Sequence, residues 1–404
     1  MRAAQLTGPE TIELVDLPIP TCPEGGVLLR VLACGVCGSD LRRFREGPAP
    51  GDITVPGHEF AGEVVAVGAK VSGYAVGDHL AVAPDVHCLR CWYCSVGLYN
   101  LCDDMTMIGI TPGFMGGLAE YCVLPAHALV GGTIHKMPAS LSFAQGALAE
   151  PLSSVQACHQ DIGTKLGDTV LVMGAGPIGC LHTAIAHLRG ARVILSEPNE
   201  LRREMAVPFK PELVLDPFAQ DVVSEVMAFT DGLGADSAIC ANPVAATHQQ
   251  AVDAVRKKGA VVLFGGLPKA APMTELNANR IHYDEIRVIG SFSYHPDYHR
   301  QALGLLERGL IDSELIITHT YPLEEVDQVF RTVAAGEALK VMVEIDQGDR
   351  SSHDRTERRT PAARGRRTAC ARGSRGCRPD GHRRRRYHGR DAGRAHRRHR
   401  RHRS

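Results

Sequence analysis

Four cysteines, Cys88, Cys91, Cys94 and Cys102, stand within fifteen residues in the spacing C-x2-C-x2-C-x7-C, and no other stretch constrains the fold as tightly. Thiolates crowded in this way can enclose one tetrahedral zinc with no vacancy, which marks a structural site rather than a catalytic one. The intervals are short enough for a single loop to supply every ligand. The chain's other cysteines are scattered singly, a pattern that fits a reducing compartment better than a disulfide framework. The cytoplasm is the expected location. No apolar run approaches the ~20 residues a membrane helix needs. Met1–Gln5 leads straight towards a strand-like Ile12–Leu14 with no signal-peptide core between them.

A formal net charge of zero hides a sharp split. Residues 349–404 carry 21 arginines and no lysine against five acids, a net of +16, which leaves −16 on the rest. Poor in apolar residues and without helical or strand period, this tail cannot bury a core and is expected to be disordered. Arginine clusters attract phosphate backbones. With Tyr387 as its only aromatic, however, the tail reads better as an appended extension without specific function, nucleic acid being the rival reading. The strand-like Leu339–Ile345 marks the expected end of the fold.

The remaining length suits two domains. Up to Pro151 the chain reads as short strands, Val27–Leu32, Phe60–Val67 and His79–Val82 among them, broken by turns such as Pro23-Glu24-Gly25-Gly26. Beyond Pro151 the pattern changes. A helix-like Ser153–Gln160 precedes an apolar Thr169–Met173, a glycine turn, a helix-period Leu181–Leu188 and a second apolar run, Arg192–Leu195. That is a βαβ unit. Strand-like runs at Ser237–Cys240, Ala260–Phe264 and Arg287–Ile289 extend it into a doubly wound parallel sheet. An amphipathic helix over 296–309 then precedes strands that return to the first domain. The expected class is α/β, with boundaries at 1–151, 152–291, 292–347 and 348–404.

The glycine turn is Gly174-Ala175-Gly176-Pro177-Ile178-Gly179, and Glu197 ends the second strand of the unit. Glycines there permit a tight turn and let a pyrophosphate approach the N–H groups of a helix N-terminus. A carboxylate at Glu197 can accept hydrogen bonds from ribose hydroxyls and would repel a 2′-phosphate, which favours NAD over NADP. Arg202 either reaches the adenosine end or is a solvated helix residue; both readings stay open.

Cys37, His58 and Glu59 form a second set of metal-type residues, and three protein ligands leave the open position that catalytic zinc requires. Glu150, at the junction of the two domains, could complete the coordination or hold a zinc-bound water. Gly57-His58-Glu59-Phe60-Ala61-Gly62, with Gly68 and Val71, fits G-H-E-x2-G-x5-G-x2-V. This pattern resembles the zinc signature of the medium-chain alcohol dehydrogenase superfamily. The likeness extends over residues 1–347 through Cys37-Gly38-Ser39-Asp40, the four-cysteine loop, Glu150-Pro151-Leu152-Ser153, the glycine fingerprint and Gly290-Ser291-Phe292-x-Tyr294. It runs closest to the sorbitol (polyol) dehydrogenase branch.

The resemblance implies a GroES-like catalytic domain packed on a Rossmann domain, with the active site between them. It implies zinc on Cys37, His58 and Glu59, Glu150 binding the zinc's water or the substrate, and Ser39 relaying the alcohol's proton. It also places Ile178, Glu197, Arg202, the Phe264-Gly265-Gly266 turn and the Ser291-Phe292 backbone along NAD. Two positions depart from the pattern. Arg42 stands where many relatives carry a relay histidine, and guanidinium accepts no proton at neutral pH. Ser293 replaces an arginine that grips substrate hydroxyls in the polyol branch, which turns the expectation from sorbitol towards another polyol, a cyclitol or an amino-sugar alcohol.

The expected activity is oxidation of a secondary alcohol to a ketone with zinc and NAD. The alternatives are an L-threonine 3-dehydrogenase-like activity on an amino alcohol, and a non-catalytic scaffold with a nucleic-acid-binding tail. The expected partner is a small-molecule alcohol, without membrane or nucleic-acid partners except through the tail. A homodimer or homotetramer is expected.

Overall fold

The structure is a computed structural model that describes residues 1–48 and 54–345. The arginine-rich tail, with the disorder expected of it, lies outside the described residues. Two sheets organise the rest. The run Thr169–Met173, apolar throughout apart from its first residue, becomes a strand buried on both faces, as parallel strands between helical layers are. It lies inside a six-stranded parallel sheet in the order Leu213–Leu215, Arg192–Ser196, Thr169–Met173, Ala235–Cys240, Val255–Leu263, Arg287–Gly290. The strand order reverses between Thr169–Met173 and Ala235–Cys240. A crevice at such a switch point is where doubly wound sheets bind ligands.

The second sheet has eight strands. Its backbone path runs Ile317–Pro322, Lys340–Glu344, Val27–Val36, Glu59–Val67, His79–Val86, Thr106–Met107. Val27–Val36 is antiparallel to both Lys340–Glu344 and Glu59–Val67, with Val36 opposite Val341 and Gly35 opposite Glu59. The C-terminal segment thereby joins the eight-stranded sheet and flanks the strand that ends just before Cys37. No described helix is long and apolar enough to cross a membrane.

Two differences from the sequence reading bear on the site. The helix expected from Ser153 begins ten residues earlier: it runs Phe143–Ile162, capped by Ser142 and Gln145 in a reciprocal box, and carries Pro151 and the expected 151/152 boundary inside it. An interior proline costs about 3 kcal/mol. Here Leu148, Ala149, Leu152 and Val155 join a core containing Ala61 and Ala81 of one sheet and Val170 and Val172 of the other, and that burial outweighs the local cost. The second difference is a helix, Gly38–Glu46, in a stretch read as strands and turns; it turns Asp40 and Phe44 inward directly behind Cys37.

Candidate metal centres and cofactor cleft

Strand register builds the open metal nest. Glu59 and Lys340 lie on either side of the strand Val27–Val36, and their side chains meet at its end. Lys340 Nζ donates to both Glu59 oxygens, each at 2.8 Å, and to the Val36 carbonyl at 3.1 Å. Both side chains are almost wholly buried. Burial alone would lower the Lys340 pKa, but the Glu59 charge beside it leaves the net shift upward. Gly35 must be glycine: a Cβ there would lie 2.2 Å from Glu59 Oε2.

Asp40 supports the other side. One of its oxygens accepts from Cys37 N at 3.0 Å; the other lies 3.2 Å from His58 Nδ1 and accepts from Gly57 N at 3.3 Å. Burial opposes charge on Asp40, yet His58 and these donors hold its pKa below the usual carboxylate value. A carboxylate on Nδ1 leaves Nε2 free for a metal, the arrangement that orients metal-bound histidines. One donor atom each of Cys37, His58 and Glu59 lies within 4.8 Å of the others. The exposed Ser39 hydroxyl is 3.4 Å from His58 Nε2.

Glu150, on the helix Phe143–Ile162, is outside that mutually close group. Its Oε1 accepts from Tyr294 Oη at 3.3 Å. Burial, reinforced by the Glu59 charge, pushes its pKa up to about 8.

The four cysteines also come together. Their sulfurs lie within 4.8 Å of one another. The N–H groups of Cys88, Cys91 and Cys94 point at the sulfurs of Cys102, Cys88 and Cys91 at 3.2, 3.3 and 3.5 Å. Burial pushes the Cys94 thiol up to about 12, while the Arg90 N–H helps bring Cys88 down to about 6. Soft donors preset in this way suit zinc, and so does the thiolate–imidazole–carboxylate set of the open nest.

In the parallel-sheet half, Gly174 has φ +113, and a Cβ on Gly179 would lie 1.8 Å from the Gly174 carbonyl. Gly176 and Gly266, by contrast, have open space where a Cβ would be. The second glycine is the one whose bare backbone admits a pyrophosphate, and Pro177 follows it as the first helical residue. Glu197 is held twice: it accepts from Ala175 N at 2.7 Å and from Asn199 N at 2.9 Å, so the carboxylate also braces the glycine turn. Gly174, Glu197, Arg202 and Phe218 line a cavity of about 440 Å³. Arg42, Arg45, Arg202 and Lys269 line a neighbouring cavity of about 640 Å³, giving its walls a cationic character that suits phosphate. Ile178 is half-buried on the first helical turn. Phe264 packs its ring against buried His182, Ser291 N donates to Leu263 O at 3.3 Å, and Phe292 is largely exposed. Sequence reasoning missed Asp40, Lys340, Tyr294 as the partner of Glu150, and a buried Asp85 paired with Ser293.

This is the geometry of a known family. Residues 23–139 match the alcohol dehydrogenase GroES-like domain, and residues 177–308 match the zinc-binding dehydrogenase domain. A D-arabitol-phosphate dehydrogenase of Enterococcus avium is 33% identical over 345 residues, covering 84% of this chain and 96% of the relative. An L-threonine 3-dehydrogenase of Pyrococcus horikoshii is 35% identical, covering 82% and 94%. Among solved structures, a zinc-binding dehydrogenase from Sinorhizobium meliloti 1021, bound to NADP, is similar with a TM-score of 0.77 at 32% identity, covering 85% of this chain and 98% of that one. The chain belongs to the zinc-containing medium-chain alcohol dehydrogenase superfamily. It is an oxidoreductase that combines a GroES-like domain with a Rossmann domain and works with zinc and a nicotinamide dinucleotide.

Proposed function

We propose that the enzyme oxidises a secondary alcohol of a polyol, cyclitol or sugar-like substrate to a ketone, with zinc held by Cys37, His58 and Glu59 and with NAD as the dinucleotide. The observation that carries this reading is the convergence of those three donors beside the exposed Ser39 hydroxyl. Zinc supplies Lewis-acid polarisation there, and the nicotinamide supplies the hydride acceptor. Ser39 accepts the alcohol's proton. Arg42 cannot take it further, so the relay ends in water, in the cofactor ribose or in another group. Glu150, anchored by Tyr294, orients the substrate or its water. Gly174, Gly176, Pro177, Ile178, Gly179, Glu197, Arg202, Phe264, Gly265, Gly266, Ser291 and Phe292 line the dinucleotide path. Cys88, Cys91, Cys94 and Cys102 hold a structural zinc.

Residues 1–151 and 292–347 form the catalytic domain and residues 152–291 the dinucleotide domain. A cytoplasmic homodimer or homotetramer without a nucleic-acid partner accords with this reading. The archaeal threonine dehydrogenase relative favours a second reading, an amino alcohol as substrate.

NADH formation with a panel of polyols, cyclitols, amino-sugar alcohols and L-threonine tests both. Turnover of a polyol, cyclitol or amino-sugar alcohol without turnover of L-threonine is the expected result. Turnover confined to L-threonine would replace it with the second reading, and no turnover by zinc-replete protein would overturn both.

A further inference from the structure

The chain leaving the parallel sheet meets Asp85 and Glu150 at Ser293 and Tyr294. Tyr294 Oη donates to Glu150, and one residue earlier Ser293 Oγ donates to Asp85 Oδ2. Ser293 adopts φ +50, a left-handed conformation uncommon for a residue with a side chain. Asp85 is on the strand His79–Val86 and is only 3% exposed. Its other oxygen, Oδ1, has no hydrogen-bond partner among the described residues.

No described lysine or arginine forms an ion pair with Asp85, and Lys340, beneath the nest, is fully engaged by Glu59 and the Val36 carbonyl. Asp85 and Glu150 lie close enough for each charge to act on Tyr294; burial raises the Asp85 pKa, against the Ser293 hydrogen bond and the charges of His87 and His58. Asp85, Glu150 and the hydroxyls of Ser293 and Tyr294 thus form one linked polar wall, and the Ser39 hydroxyl lies beside His58. A buried carboxylate with a single hydroxyl partner is costly. A ligand that supplies the missing donor offsets that cost, and an anionic ligand raises it.

We propose that Asp85, set by Ser293, is a specificity-determining residue. It accepts a hydrogen bond from a hydroxyl or ammonium on the substrate carbons beyond the oxidised carbinol, and it excludes substrates bearing a phosphate or carboxylate there. The proposal rests on the polyol dehydrogenase reading and narrows it. Activity on a sugar-alcohol phosphate or on L-threonine, which the names of the two relatives suggest, is disfavoured by this wall.

The test uses the zinc-loaded enzyme and three compounds on one carbon skeleton: a neutral polyol, its amino-deoxy analogue and its phosphate monoester. Turnover gives kcat/KM, and quenching of NADH fluorescence in the enzyme–NADH complex gives binding independently. The expected order is amine at or above neutral polyol, with the phosphate lower by about a hundredfold or more. Asp85→Asn should lower the amine-to-neutral ratio by about tenfold or more. Ser293→Arg, which places a cation on Asp85, should do the same and raise the phosphate's relative kcat/KM. Ser293→Ala should preserve the amine preference. A phosphate bound and turned over best, or ratios unmoved in both Asp85→Asn and Ser293→Arg, overturns the proposal. Selective binding of the amine and neutral polyol without turnover would refute the dehydrogenase reading and leave the role of Asp85 standing.

Discussion

The two candidate zinc sites are built on opposite plans. Cys88, Cys91, Cys94 and Cys102 come from one loop, and the N–H groups of that same loop point at their sulfurs. Cys37, His58 and Glu59 come from the ends of neighbouring strands, and their orientation depends on Asp40 and on Lys340, which is 281 residues from Glu59. A local site forms whenever its loop folds around metal and asks little of the rest. A composite site exists only after the sheet has closed around Lys340–Glu344. The closed site is thus a staple, whereas the open one is a consequence of the whole fold.

Replacing one sulfur in each site would break or confirm that contrast. Cys37→Ser should cut kcat/KM by more than about a thousandfold, since it removes a zinc ligand from the reacting centre, while Tm barely moves. Metal analysis should fall from two zinc ions per chain to one. Active protein holding one zinc or none before any substitution would refute the two-site picture. The next largest effect concerns the composite site's foundation. Lys340→Met leaves Glu59 buried without its cation and should cost about 3–5 kcal/mol in denaturant unfolding, because breaking one side of a buried pair strands the other charge. A loss below about 1 kcal/mol would mean that the bound metal alone neutralises Glu59. Cys94→Ser should be milder, roughly 2 kcal/mol with kcat/KM within about threefold, because the damage stays in one loop. If Cys94→Ser abolished turnover at unchanged Tm, the four-cysteine loop would be part of the catalytic machinery and the contrast would fail.

The same contrast explains what could be read from the sequence. The four-cysteine loop, the Gly57–Gly62 signature and the glycine fingerprint are legible because spacing along a short stretch fixes their chemistry. Thr169–Met173 was delimited to the residue because an apolar run between turn signals leaves little choice. The helix Phe143–Ile162 started earlier than expected because Pro151 reads as a breaker until the core on both of its sides is known. Asp40, Tyr294, Asp85 and Lys340 act through partners 18, 144, 208 and 281 residues away, and pattern reading has no access to such distances. One signal was available: Lys340 interrupts the apolar run Leu339–Ile345, and a lysine inside a buried strand demands a carboxylate.

The smallest expected effect sharpens the comparison at the cofactor. Glu197 resembles the composite metal site in having two duties, since its carboxylate lines the cavity beside the glycine turn and also braces Ala175 and Asn199. The NADP-bound relative shows that a dehydrogenase of this fold can hold the 2′-phosphate. With Arg42, Arg202 and Lys269 lining the adjoining cavity, the carboxylate at Glu197 is the main electrostatic obstacle to it here. The wild-type ratio of kcat/KM should favour NAD, and Glu197→Ser should narrow it by about tenfold, or about 1.4 kcal/mol. Tm should fall as well, because Ala175 N in the glycine turn and Asn199 N each lose their acceptor. A ratio that already favours NADP in the wild type would overturn the assignment. An unchanged ratio with a lowered Tm would assign Glu197 to bracing alone and move discrimination to the arginines.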